Sequence, residues 1–147
     1  LAKLRISASM PIACGENLGS GVNGYQQLIS QQAVDVLIMD LGWCGGITEA
    51  LPVMRQSRDA GILTAYHDCT GPVSLAVATH VSLASENTSV QEVARAFWHG
   101  WYGQMAGGYP EIVDGDVRVS NSPGHGATLL PEFKSSETTL VRRSVLS

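Results

Sequence analysis

The chain has 147 residues, 44% of them hydrophobic, and a formal net charge of −4, which suits one domain with a buried core. No basic stripe interleaved with aromatics offers a nucleic-acid surface, and no apolar run approaches the ~18 residues of a membrane span. Neither nucleic acid nor membrane is therefore an expected partner. Three cysteines, Cys14, Cys44 and Cys69, form no CxxC pair and leave one odd, which predicts reduced thiols and a cytoplasmic setting.

In chain order, the opening "LAKLRIS" reads like the end of a helix and begins without methionine, so a piece of a longer protein is expected. "PIACGE" (11–16) is a short apolar strand ending on Glu16, followed by a Gly/Ser/Asn loop and the helical "GYQQLISQQAV". "DVLIMD" (35–40) has no polar alternation, which suits a strand covered on both faces, yet it ends on Asp40. The helix after it, about 47–60, places Ile47, Leu51 and Met54 on one stripe. "GILTAYH" (61–67) ends on His67, and a helix at 72–85 follows with Val73, Val77, His80, Val81 and Ala84 along one side. "TSVQE" (88–92) ends on Glu92, and "VARAFWHGWYGQM" begins as a helix.

Glu16, Asp40, His67 and Glu92 thus end four strands at spacings of 24, 27 and 25 residues. That is the length of a βα unit, and the alternation predicts an α/β fold with a parallel sheet. In such folds the carboxyl ends of the strands share one rim where chemistry sits. One charged strand end would be an ordinary exit to solvent; four in succession point to a site. Periodicity alone leaves an open doubly wound sheet and part of a (β/α)8 barrel both standing. No glycine-rich phosphate loop stands at a strand–helix junction.

The stretches "IACGEN", "DVLIMDLGWCGGITEA", "YHDCTGPVSLAVATH", "ENTSVQE" and "VDGDVRVSNSPGHG" together resemble the enolase superfamily. The resemblance is strongest to its mandelate racemase branch and the acid-sugar dehydratases within it. It implies that residues 1–105 are the second half of a (β/α)8 TIM-type barrel, strands five to eight. Residues 106–133 would return toward a capping domain, and 134–147 would be a loose tail. By resemblance, Glu16 is one of three carboxylates that hold Mg2+, Asp40 and His67 are an Asp–His dyad, and Glu92 binds the substrate carboxylate. The implied reaction removes the proton next to the carboxylate of a sugar acid and expels water, giving a 2-keto-3-deoxy acid. The resemblance also implies a homo-oligomer.

The chemistry fits those residue types. A proton beside a carboxylate is weakly acidic, and a hard cation on oxygen ligands stabilises the charge that its loss creates. A histidine can take that proton if an aspartate on its other ring nitrogen fixes the tautomer.

The family also needs two further metal carboxylates and a Lys or His on preceding strands, whereas Lys3 and Lys134 stand at neither place. The chain alone is therefore expected to be inactive. A racemase or epimerase of the same superfamily, and a non-catalytic half-barrel assembly, are the alternatives. A zinc site from Cys44, His67 and Cys69 is a weaker one, without a fourth ligand at metal-site spacing. His80, Glu86 and His125 are second candidates, and Asp68 can face either way. Glu49 and Asp59 read as solvated, and Trp98, Trp101 and Tyr102 as packing residues.

Overall fold

A computed structural model describes residues 1–18 and 22–145, with only the backbone of Val22. The loop expected after Glu16 lies partly outside the described residues. Helix α1 (Ala2–Ser7) precedes strand β1 (Ala13–Cys14). Three βα units follow: α2 (Val22–Ser30) and β2 (Val36–Met39), α3 (Ile47–Asp59) and β3 (Leu63–Tyr66), α4 (Pro72–Leu83) and β4 (Thr88–Gln91). The four strands lie side by side in chain order, all parallel. Parallel neighbours cannot be joined by a tight turn, and α2, α3 and α4 are the crossovers they require.

β1 is shorter than the expected 11–16. Gly15 leaves the strand at φ 140°, where an added Cβ would meet the Ile38 carbonyl oxygen at 2.5 Å. Only glycine lets the chain pass so close to β2. The start of β2 is tied back by Asp35, whose Oδ2 accepts the Ile12 N–H at 2.8 Å and whose Oδ1 accepts Arg5 Nε–H at 2.8 Å. One carboxylate thereby fastens α1 and β1 to the sheet.

Leu37 and Met39 of β2 are fully buried, and with Tyr25, Val34, Val53 and Tyr66 they form the centre of the core. The helix faces differ from the sequence expectation. In α3 the buried positions are Ala50, Val53 and Ser57, while Ile47 is 46% exposed. In α4 Leu75, Ala76, Ala78, Thr79 and Ser82 are buried with Val81, whereas Val73, Val77 and His80 are half-buried and Ala84 is exposed. Small residues let a helix approach the sheet closely, so the inward faces mix Ala and Ser with Val53, Leu75 and Val81. β4 contains a bulge: Thr64 pairs with Thr88 and Ala65 with Val90. Ser89, the extra residue, donates its hydroxyl to the Thr64 carbonyl at 3.0 Å.

Beyond β4 the chain winds through α5 (Arg95–Phe97), a π-helical turn (Trp98–Tyr102) and α6 (Gly103–Met105). β5 (Ala106–Gly107) pairs antiparallel with β8 (Thr128–Leu129). β6 (Glu111–Val113) and β7 (Asp116–Arg118) form the hairpin that "EIVDGDVRVS" predicts. Asp114 and Gly115 at its tip both have positive φ, as a tight hairpin turn requires. The short helix α7 (Pro131–Ser135) follows. Among the described residues no helix is long and apolar enough to cross a membrane.

Candidate active site

Asp40, His67 and Glu92 are each the first residue beyond a strand: β2 ends at Met39, β3 at Tyr66 and β4 at Gln91. Met39 pairs with Tyr66 and Tyr66 with Gln91. The ladder continues one step further, with His67 N–H donating to the Met39 carbonyl at 2.8 Å and Glu92 N–H to that of Tyr66 at 2.9 Å. Neighbouring strands lie about 4.8 Å apart, so three residues in one register row bring their side chains together.

His67 Nδ1 is 2.9 Å from Asp40 Oδ2. The carboxylate can only accept, so Nδ1 carries the proton; in the neutral ring Nε2 then presents its lone pair. The Asp40 side chain is 1% exposed and that of His67 20%. Burial of a carboxylate requires partners, and Asp40 has three. Its Oδ1 accepts the Gly42 N–H at 2.7 Å and the Thr70 hydroxyl at 3.5 Å, besides the bond to His67. Gly42 is confined as well, since a Cβ there would meet Asp40 Oδ1 and Thr70 Oγ1 at 3.1 Å each. On the outer side, the Trp43 ring lies 5.4 Å from the His67 ring at 46°.

Glu92 Oε2 is 3.8 Å from His67 Nε2, and the Glu92 side chain is 52% exposed. The Asp68 N–H donates to the same Oε2 at 3.1 Å. Asp68 itself turns away from the dyad. It is 2% exposed and accepts the Tyr102 hydroxyl at 2.7 Å and the Ala94 N–H at 2.8 Å. Burial pushes its carboxyl above the usual range, partly offset by the Tyr102 and Ala94 hydrogen bonds.

Glu16 is half-buried beyond β1 and accepts from the Asn17 amide at 3.3 Å. It belongs to no group of three or more metal-capable side chains among the described residues; that group is Asp40, His67 and Cys69. Mg2+ takes six oxygen ligands in a near-ideal octahedron, so the described residues do not by themselves fit a Mg2+ site. Tyr25, 1% exposed, lies near Glu16 and Asp40, and burial followed by the Cys44 and Asp40 charges pushes its phenol upward. Its hydroxyl has no hydrogen-bond partner among the described residues.

Cys44 is buried against the Gly46 carbonyl and stands outside the group formed by Asp40, His67 and Cys69, so the Cys44–His67–Cys69 zinc arrangement is not formed. His80 and His125 both line an apolar groove of about 490 Å3 with Leu51 and Val77, apart from the strand-end rim. Glu86 borders a smaller groove with Arg55 and Arg58. Trp43 and Thr70 escaped the sequence reading. Both sit in the loops directly after Asp40 and His67, and that placement was the available signal.

The parallel strand row thus carries an Asp–His pair and a glutamate at its carboxyl ends. Residues 1–133 match the family described as enolase C-terminal domain-like. The chain is 33% identical over 118 residues to the D-gluconate/D-galactonate dehydratase of Picrophilus torridus, covering 80% of this chain and 30% of that protein. It superposes with a TM-score of 0.86 and 32% identity on an enolase protein from the environmental genome shotgun sequencing of the Sargasso Sea, over 99% of this chain and 39% of the other. L-talarate dehydratase from Polaromonas sp. JS666, solved with Mg and L-glucarate, gives a TM-score of 0.75 at 28% identity, over 90% of this chain and 34% of the other. The chain belongs to the enolase C-terminal domain-like family, and its four parallel strands are the second half of the (β/α)8 barrel. It spans well under half the length of these relatives.

Proposed function

We propose that the chain is the C-terminal part of an acid-sugar dehydratase in which His67 removes the proton next to the substrate carboxylate. The observation that carries this reading is the 2.9 Å contact between His67 Nδ1 and Asp40 Oδ2. It occupies one ring nitrogen and leaves Nε2 free on the more open side. Asp40 holds the ring in that tautomer and stabilises the cation that forms when Nε2 takes a proton. Glu92, held by the Asp68 amide at 3.1 Å, binds the carboxylate end of the substrate within reach of Nε2 through a hydrogen bond that its acid form donates, since two carboxylates only accept. Loss of the 3-hydroxyl as water then gives a 2-keto-3-deoxy acid.

Glu16 would contribute one oxygen ligand to Mg2+, with the other ligands supplied from outside the described residues, and the ion would supply Lewis-acid charge stabilisation. In this reading residues 1–105 form the barrel half, 106–133 return toward the cap and 134–147 are a tail. The relatives named as dehydratases of gluconate and galactonate support a sugar acid as substrate.

The test is an assay of the protein that carries this chain, with Mg2+, against galactonate, gluconate and xylonate. Product is followed as a 2-keto acid and the α-proton by exchange from deuterated water. Dehydration of at least one acid is expected. Inversion at the α-carbon without loss of water would replace this reading with a racemase or epimerase. Neither exchange nor product on any acid would overturn it.

A further inference from the structure

We infer that Asp40, His67 and Cys69 form a binding site for a borderline-soft divalent cation such as Zn2+, distinct in chemistry from any site for Mg2+. Each offers one ligand atom, and the three atoms lie within 4.8 Å of one another. In a tetrahedral zinc site, bonds of about 2.0–2.3 Å place neighbouring donors roughly 3.3–3.6 Å apart. Asp40 Oδ2 and His67 Nδ1, now 2.9 Å apart, would open by about 0.5 Å, and a pair at the 4.8 Å limit would close by about 1.2–1.5 Å, a small rotation for a half-buried thiol.

The topology explains why these residues converge. His67 and Cys69 are two apart in the segment leaving β3, and Asp40 stands one step past Met39, which pairs with Tyr66 just before His67. Asp68, between them, points the other way to Tyr102.

The donor set decides which ion enters. A thiolate, an imidazole nitrogen and one carboxylate oxygen suit Zn2+ and Co2+, whereas Mg2+ requires oxygen ligands. The surroundings favour a cation. The carboxyl groups of Asp40, Asp68 and Glu92 stand around the Cys69 thiol and would face a divalent ion bound there. Thr70 and the Gly42 amide, both on Asp40 Oδ1, hold the carboxylate in place and leave Oδ2 on the His67 side. Entry of the ion displaces the proton between Asp40 and His67 and the thiol proton to solvent. Three protein ligands leave a fourth position for water.

One consequence rests on the proposed function: an ion here occupies the ring assigned as base and stops turnover. The site itself does not depend on that assignment, and its test uses no activity.

The purified chain is titrated with Co2+ and then Zn2+, with a chromophoric chelator setting the affinity scale. The expected result is one ion per chain, a thiolate-to-cobalt charge-transfer band, displacement of cobalt by zinc, and no displacement by a large excess of Mg2+. Cys69→Ser should abolish the band and weaken Zn2+ binding by about tenfold or more, with an unchanged far-ultraviolet circular dichroism spectrum. His67→Asn should weaken it independently, and Cys14→Ser should leave it unaltered. No stoichiometric binding overturns the inference. So does a band that survives Cys69→Ser, a band lost in Cys14→Ser, or competition by Mg2+.

Discussion

His67 Nδ1 and Asp40 Oδ2 are 2.9 Å apart although 27 residues separate them in the chain, because β2 and β3 run parallel in register and each residue stands one step past its strand. The contact thus depends on strand register rather than on loop conformation. In the protein that carries this chain, His67→Asn should lower turnover by about a hundred- to ten-thousand-fold and leave Mg2+ affinity intact. Asp40→Asn should be comparably severe, since an amide presents NH2 to Nδ1 and selects the wrong tautomer. Steady-state rates and Mg2+ titrations on both variants check this; normal turnover by His67→Asn would remove the dyad from the mechanism.

Glu16 should behave differently. Glu16→Gln is expected to weaken Mg2+ binding first, with activity recovering as Mg2+ is raised. The chain alone should give no Mg2+ binding heat at low millimolar concentration, because one carboxylate cannot supply the oxygen cage the ion needs. A tight single site in calorimetry would contradict that.

β1 and β4 flank the sheet, each with one side unpaired among the described residues. Val90 in β4 is 58% exposed and Leu63 at the start of β3 is 46% exposed. Closed barrels remove such edges, and open ones recruit partners. The isolated chain should therefore self-associate, with a sedimentation profile that shifts with concentration. A monodisperse monomer over a wide concentration range would refute this.

Asp35 gives a pH dependence with a definite sign. The Ile12 N–H, and secondarily Arg5, hold its carboxyl below the ordinary value of 3.8. A depressed native value means the interaction stabilises the fold above the ordinary value and is lost as pH falls through the native one. The stability gap between the parent chain and Asp35→Asn should be constant from neutral pH to about pH 5 and close below about pH 4. Denaturant midpoints at several pH values measure it, and a gap that persists at the acid end would refute the assignment.

Asp40 was legible because β2 is apolar throughout and a charge at its close stands out, whereas Glu92 follows the polar β4 and was legible by its 25-residue spacing from His67. The crossovers were legible by spacing. The inward helix faces were not, because Ala50, Ser57, Ala76 and Ala78 carry little hydrophobic signal yet sit deepest. Asp68 shows a second limit. Neighbouring residues in an extended segment point oppositely, so His67 and Asp68 could not share one face, but only the placement of Tyr102 decided which faced inward. Trp43 illustrates a third, since its contact with His67 depends on how a glycine-rich loop folds back.

The π turn at Trp98–Tyr102 has a consequence for gene length rather than for residue identity. Such a turn holds one residue more than an α-helical turn. An in-frame loss of one codon among 99–101 would let the turn close to α-helical spacing, and the turn itself would absorb the change rather than pass it to the segments on either side. Trp98 and Tyr102 would then stand three residues apart instead of four. The Tyr102 hydroxyl is now 2.7 Å from Asp68 and the Trp98 indole 3.0 Å from the Pro110 carbonyl. The cost of a shorter turn would fall on these two contacts and not on the fold around them.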